Sequence, residues 1–376
     1  MPLSKIIYKN KRKLLIAGIF LTSLIFITKA YINSTSLTDA NDFWIMYSLS
    51  KIFWNQQDVF ELYLTRNTDS VIAPLWTHLT YIILGPYTLF SFKISNILWF
   101  ISNLIFFVLI IKLIKNYEKL SLNQTFLLTI IALTSTPFTN ALGNGQISLL
   151  LLLILIIYWN SKNTKYILGL SLIKVSIAPI FIIFSLIKKE TDFLYSVAIY
   201  AIGVLIYSFY IGNFTLYQFV NPLLIIIDMA ETYNFSGISN IKYLFIMLKI
   251  DKYYFISISL IMFFLIIYFL KKEKTEEIFL IIILFTLVLF YHNLYDFVLL
   301  IPFVSYLIKN NKRINKIEKT FFYSTILFFF YFIRFNQLIL NNYLNANTIS
   351  SLGIFFLFVS SYLLNKRYLQ RKVIKQ

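Results

Sequence analysis

The sequence predicts an all-α polytopic membrane protein of about twelve transmembrane or re-entrant helices, with an interfacial helix in its first outer loop. Three observations predict it. Of 376 residues, 59% are hydrophobic and only 13% charged, beyond the usual apolar share of a soluble globular domain. The apolar residues gather in runs, and a helical span needs roughly 20 of them. The basic residues behind the net charge of +18 stand between those runs and at the two ends, which fits cytoplasmic anchoring.

The first run, 14 to 32, is broken only by Lys29 and follows Met1 to Lys13, which carries five basic residues and no acid. It is too long for a signal-peptide core and lacks a small-residue cleavage pattern, so a retained span with a cytoplasmic N-terminus is expected. Residues 33 to 71 then form the first outer loop. Within it, 42 to 54 combine aromatics with Lys51, the pattern of a helix lying on the membrane surface. Asp39 is its expected cap, which puts Asp42 in the first turn, where the helix dipole favours a carboxylate.

Further spans are expected at 72 to 91, 93 to 114, 122 to 141, 145 to 159, 165 to 187 and 193 to 212. A second outer loop, 213 to 252, precedes runs at 253 to 270, 276 to 291, 295 to 308, 320 to 340 and 348 to 364. Residues 365 to 376 form a basic cytoplasmic tail, and the chain reads as one integral-membrane domain over 1 to 376. Alternation from a cytoplasmic N-terminus returns the tail to the cytoplasm. Strict alternation also puts Lys112 to Lys119 and Lys162 to Lys165 outside, against the charge rule. A broken or re-entrant segment is therefore expected in the middle, with Pro74, Pro86, Pro137 and Pro179, Gly143 and Gly145 as candidate interruptions. The sidedness of Gln146 and Lys174 depends on that arrangement; the outward placement of 33 to 71 and of His292 does not.

Several function classes fall away. Basic residues concentrated between the spans and at the two ends make nucleic acid an unexpected partner. With no cysteine and two histidines, the chain has no thiol nucleophile, disulfide or three-histidine zinc site. It has no Walker A string, dinucleotide fingerprint, Gly-x-Ser-x-Gly elbow or His-Glu-x-x-His pair. The Asp39-Ala-Asn-Asp42 spacing is a poor metal motif, so no metal and no cofactor are expected.

Ionisable groups beside apolar runs are then the candidates, because at membrane depth they are costly unless paired or functional. Asp42 reads as a general base or charge stabiliser, or as an ordinary first-turn acid. The string 291 to 296, Tyr-His-Asn-Leu-Tyr-Asp, places His292, Asn293, Tyr295 and Asp296 at the outer end of a span; the alternative is a polar turn. Gly143-Asn144-Gly145-Gln146 is a tight turn before an apolar run. Lys174 has no acid nearby in sequence, so it must snorkel, find a partner or meet an anion such as a lipid phosphate. His78 reads as a packed, hydrogen-bonded histidine.

In order, these motifs resemble the multispanning GT-C glycosyltransferases, in the branch that includes glycosyltransferase family 87. The resemblance runs through Asp42-Phe43 with Tyr47, Tyr63 before a proline-containing span, Trp99, Gly145-Gln146, Gly169 to Pro179 with Lys174, and His292, Tyr295 and Asp296. It covers most of residues 40 to 305. The chain departs from the pattern with Ala73-Pro74 where relatives often have two prolines, and at Ser176 to Ala178 where an aromatic often precedes the proline.

The resemblance implies a GT-C-like bundle and inverting transfer of a sugar, mannose the first expectation, from a polyprenyl-phosphate carrier. The acceptor would be a lipid or glycan on the outer face of a bacterial plasma membrane, with membrane lipids the other partners. It implies Asp42 as base or as the residue orienting His292, or the reverse. Lys174 would face the lipid phosphate, Phe43, Tyr47 and Tyr295 would shape the sugar pocket, and Asn144, Gln146, Asn293 and Asp296 would bind substrate. Two rivals are a polysaccharide polymerase or ligase, which usually has arginines in a large outer loop where 213 to 252 has none, and a transporter or flippase of lipid-linked sugar.

Overall fold

A computed structural model describes residues 3–36, 41–65, 74–161, 165–174, 177–188, 190–220, 224–225, 275–289, 293–338 and 346–375. All regular structure among them is helical. Among the described residues three helices are long and apolar enough to cross a membrane, at 16–35, 92–118 and 192–211, with a fourth if the pair 122–134 and 136–143, bent by 60°, counts as one.

The long helix α1 (Leu3–Ser36) is followed by α2 (Asp42–Trp54) and α3 (Val59–Thr65). The helix expected at 42 to 54 is present, but its cap is Asn41 instead of Asp39: the Asn41 side chain accepts from the Trp44 amide at 2.6 Å. Asn41 immediately precedes the helix, where a side-chain oxygen reaches the third helical N–H, whereas Asp39 lies outside the described residues. One face of α2 buries Phe43, Met46, Tyr47, Leu49 and Phe53.

The run at 72 to 91 is not one span. It contains α4 (His78–Ile83) and α5 (Gly85–Thr88), about 9 and 6 Å long at 1.5 Å per residue, against a hydrocarbon layer of about 30 Å. Both stay against α2, with Trp54 donating to the Tyr81 carbonyl at 3.1 Å and Tyr47 to the Phe90 carbonyl at 2.7 Å. Pro86 starts the new helix α5, as a residue lacking an amide proton does readily.

Helix α6 (Phe92–Glu118) then runs the length of the bundle antiparallel to α1, its start pinned where Ser34 donates to Asn96 at 3.1 Å. Its left-handed cap Lys119 turns the chain into α7 (Leu122–Thr134), which a reciprocal Ser121–Gln124 capping box starts. Pro137 begins α8 (Thr136–Gly143) after the 60° bend at Ser135. Helix α9 (Ser148–Asn160) returns.

The run at 165 to 187 is likewise broken, into α10 (Ile167–Leu170), a 3₁₀ turn at Ser171–Ile173, and α11 (Ala178–Ile187), which Pro179 opens. Lys165 and Glu190 both line a cavity of about 540 Å³ with Glu118, Glu276 and Lys309, whereas Lys174 bonds Ser148 at 3.2 Å at the other end of α9. The segment therefore enters and leaves from one end. At its inner reach Thr77 and Thr80 donate to the carbonyls of Leu172 and Ile173 at 2.9 and 3.0 Å, which satisfies backbone groups released by the break.

Helix α12 (Asp192–Ile211) ends at Gly212 in the left-handed region. The second outer loop and the run expected at 253 to 270 lie mostly or wholly outside the described residues, which continue with α13 (Glu276–Leu289), a 3₁₀ segment at Leu294–Leu300 with α14 (Ile301–Asn310), α15 (Lys316–Leu327) continuing through a π turn into α16 (Ile333–Leu338), and α17 (Ala346–Lys375). One end is stitched by ion pairs: Lys309 with Glu118 and Glu276, Arg367 with Glu318 at 2.6 Å, and Arg371 with Glu277.

This arrangement corrects the strict alternation. The pairing of Glu118 with Lys309, and the cavity shared with Lys165, put Glu118 and Lys165 at the end that holds Lys309, Arg367 and Arg371. The physical reason is that 72 to 91 does not traverse the bundle.

Because the chain has no cysteine, single cysteines introduced at Asn116, Lys312 and Gln57 report on this path with an impermeant maleimide. Asn116→Cys and Lys312→Cys are expected to label from one side of the membrane and Gln57→Cys from the other. Labelling of Asn116→Cys from the Gln57 side would restore the strict alternation.

Candidate active site

Most of the residues singled out in the sequence meet at the end opposite the ion pairs. Asp42 opens α2. The next amide, of Phe43, donates to the Asn144 carbonyl at 3.1 Å, and the Phe43 ring stacks on Trp99 with centroids 5.6 Å apart. Trp99 in turn donates its indole N–H to the Gly145 carbonyl at 2.7 Å. The turn 143–146 is thus docked on the start of α2, not merely a connection. Gly145 has φ +64°, and a Cβ there would lie 2.5 Å from the Phe43 Cβ, so both backbone conformation and space exclude a larger side chain.

Directly after the turn, Ser148 at the head of α9 donates to Asp296 Oδ1 at 2.6 Å and accepts from Lys174 Nζ at 3.2 Å; Lys174 also bonds Asp296 directly. The acid missing from the sequence neighbourhood of Lys174 therefore comes from 122 positions away. Tyr295 places its ring 5.0 Å from the ammonium, and Asn293 donates to the Tyr295 hydroxyl at 2.7 Å. Burial raises the half-buried Asp42 carboxyl from the ordinary carboxylate range to about 6; Lys174 opposes that shift and Asp296 adds to it. A carboxyl so poised exchanges a proton near neutral pH, next to an ammonium able to hold an anion.

The remaining expected residues take varied places. Gln146 is buried, and its Nε2 has no hydrogen-bond partner among the described residues. Phe43 is fully buried and Tyr47 spends its hydroxyl on Phe90, so both support the site from behind instead of exposing a polar group to it. His292 lies outside the described residues. His78 is buried, its Nε2 3.4 Å from Gln218 Oε1 and its ring 4.4 Å from that of Tyr207. It belongs to a separate network in which Gln218 and Tyr207 both donate to Asp58. Among the described residues no group of three or more His, Cys, Asp or Glu side chains has the arrangement to hold a metal ion.

Ser148 is the site residue that sequence reasoning misses. Its one signal is a lone hydroxyl two positions after Gln146 at the head of an otherwise apolar helix, where serine reads first as a cap.

A family model described as glycosyltransferase family 87 matches residues 78–291, more than half of the chain. The match includes Trp99, the 143–146 turn, Ser148 and Lys174, and Asp42 and Asp296 flank it. No curated protein and no solved structure matches.

Gly145→Ala is expected to lower the melting temperature of the detergent-purified protein more than Gly212→Ala. The latter meets open space and bears only the left-handed cost of about 1–2 kcal/mol, while the former also collides with Phe43. Equal losses would mean that the turn is not packed against α2.

Proposed function

Because the chain belongs to glycosyltransferase family 87, we propose that it moves a sugar, mannose first, from a polyprenyl-phosphate carrier to a lipid or glycan acceptor. The reaction takes place at the outer face of a bacterial plasma membrane. The observation that carries the reading is the convergence of Asp42, Lys174 and Asp296 at the end opposite the basic clusters. Basic residues favour the cytoplasmic side, so the ion-paired end faces inward and Asp42 faces outward. In this orientation α2, with Lys51 and Trp54 exposed, lies along the outer membrane surface as an interfacial helix.

The chemistry follows from the residues. The acceptor hydroxyl gives its proton to Asp42 as its oxygen attacks the anomeric carbon on the face opposite the phosphate. The carbon–oxygen bond to phosphate breaks, the leaving phosphate takes the bonding electrons, and the configuration inverts. Lys174 stabilises the charge that collects on the phosphate, and Asp42 then releases its proton to water. His292 is the second candidate for the base, or orients Asp42. Asn144, the Gln146 amide, Asn293 and Tyr295 provide polar contacts to the sugars, over walls backed by Phe43 and Tyr47. The phosphate leaving group needs no nucleotide site, in keeping with the absence of nucleotide motifs, and we propose that no metal takes part. Among the rivals, the transporter reading drew on a solitary Lys174 within a span, whereas Lys174 is paired with Asp296 and Ser148.

Transfer of radiolabelled mannose from polyprenyl-phosphate mannose, in membranes with matched expression, tests the reading. Asp42→Asn is expected to reduce kcat by about 10² to 10⁴, and wild-type transfer by that variant would overturn the assignment.

The pH dependence has a defined sign. Asp42 accepts a proton only when ionised, so transfer is full above about pH 6 and falls as pH drops through that value.

Activity is expected to survive a chelator; loss restored by a divalent cation would refute metal independence.

A further inference from the structure

We infer that Ser148 is a positioning residue for the transfer, holding Lys174 on Asp296 in the geometry that presents the ammonium to the leaving phosphate. The inference rests on the proposed transferase reading. Ser148 is fully buried and sits at the first position of α9, whose cap, Ile147, offers no side-chain hydrogen bond. Four other helical serines spend their proton locally, on the carbonyl four residues earlier: Ser50 on Met46, Ser102 on Leu98, Ser196 on Asp192 and Ser361 on Leu357. Ser148 instead sends its proton to Asp296 at 2.6 Å and receives one from Lys174 at 3.2 Å. A hydroxyl both donates and accepts, so this one group satisfies both members of the ion pair at once.

The arrangement leaves the ammonium with work to do. Of its three N–H donors, one goes to Ser148 and one to Asp296, and the third is left for a phosphate oxygen. Without the hydroxyl, Lys174 is free to turn wholly onto Asp296, and the carboxylate loses a donor that spreads its charge. Lys174 and Asp296 are the charged groups that act on Asp42 among the described residues. Trp99, Asn144 and Gln146, from the other packed elements, carry no charge, and Tyr295 lies over Lys174. An ammonium turned wholly onto Asp296 opposes the protonation of Asp42 less, so the protonated form of Asp42 is favoured.

Full-length wild type, Ser148→Ala, Ser148→Thr, Lys174→Ala and Asp42→Asn are compared in two assays: mannose transfer across the acid limb, and binding of polyprenyl phosphate. Ser148→Ala is expected to bind polyprenyl phosphate about 10-fold more weakly, to lose kcat and to move the acid limb upward. Ser148→Thr, which keeps the hydroxyl, is expected to recover phosphate binding and the limb. Wild-type binding and an unmoved limb in Ser148→Ala would overturn the inference, as would equal impairment of the Ala and Thr variants with the limb unmoved, the mark of packing alone. Asp42→Asn that still transfers sugar would instead defeat the transferase assignment, while binding by Ser148→Ala relative to Lys174→Ala still reports on the hydroxyl.

Discussion

The site depends on one buried charge pair. The Lys174 side chain is 13% exposed and that of Asp296 3%, and removing such ions from water costs several kcal/mol each unless geometry and further hydrogen bonds compensate. Neither residue can be left alone in this apolar bundle, so their attraction ties the broken segment at 165 to 187 to the 3₁₀ turn after α13. Ser148 adds α9 to the same knot. Three stretches distant in sequence are thereby held at one point, and Asp42 is placed within their field by the docking of α2 on the 143–146 turn.

A second set of carboxylates keeps the opposite end in register. Glu277 and Glu318 are buried against Arg371 and Arg367 of the terminal helix, and Lys309 bridges Glu118 and Glu276. These acids neutralise a few of the many cations there. The same end is thus both internally paired and strongly basic, which a net charge for the whole chain does not reveal.

Much of this was legible in the sequence because rare residues in an apolar chain are conspicuous. Asp42, Asn144, Gln146, Lys174, Asn293, Tyr295 and Asp296 stood out for their chemistry, and the structure brings them to one end of the bundle. The helix at 42 to 54 also followed from its pattern. Hidden from view was the path. A run of apolar residues reports composition, not helix continuity, so 72 to 91 and 165 to 187 read as spans although Pro86 and Pro179 begin new short helices inside them. The basic stretches at 112 to 119 and 162 to 165 had registered the conflict without locating it. Ser148 escaped because its partners come from 26 and 148 positions away, and no local pattern encodes such a meeting.

Helix α9 joins the site to the 540 Å³ cavity at the basic end, which Asn160 and Ser161 help to line. Its 13 residues rise about 20 Å, against roughly 30 Å of hydrocarbon in a bilayer. The charged groups at one end of α9 or the other therefore lie within the depth of a bilayer's hydrocarbon, where they are costly unless paired.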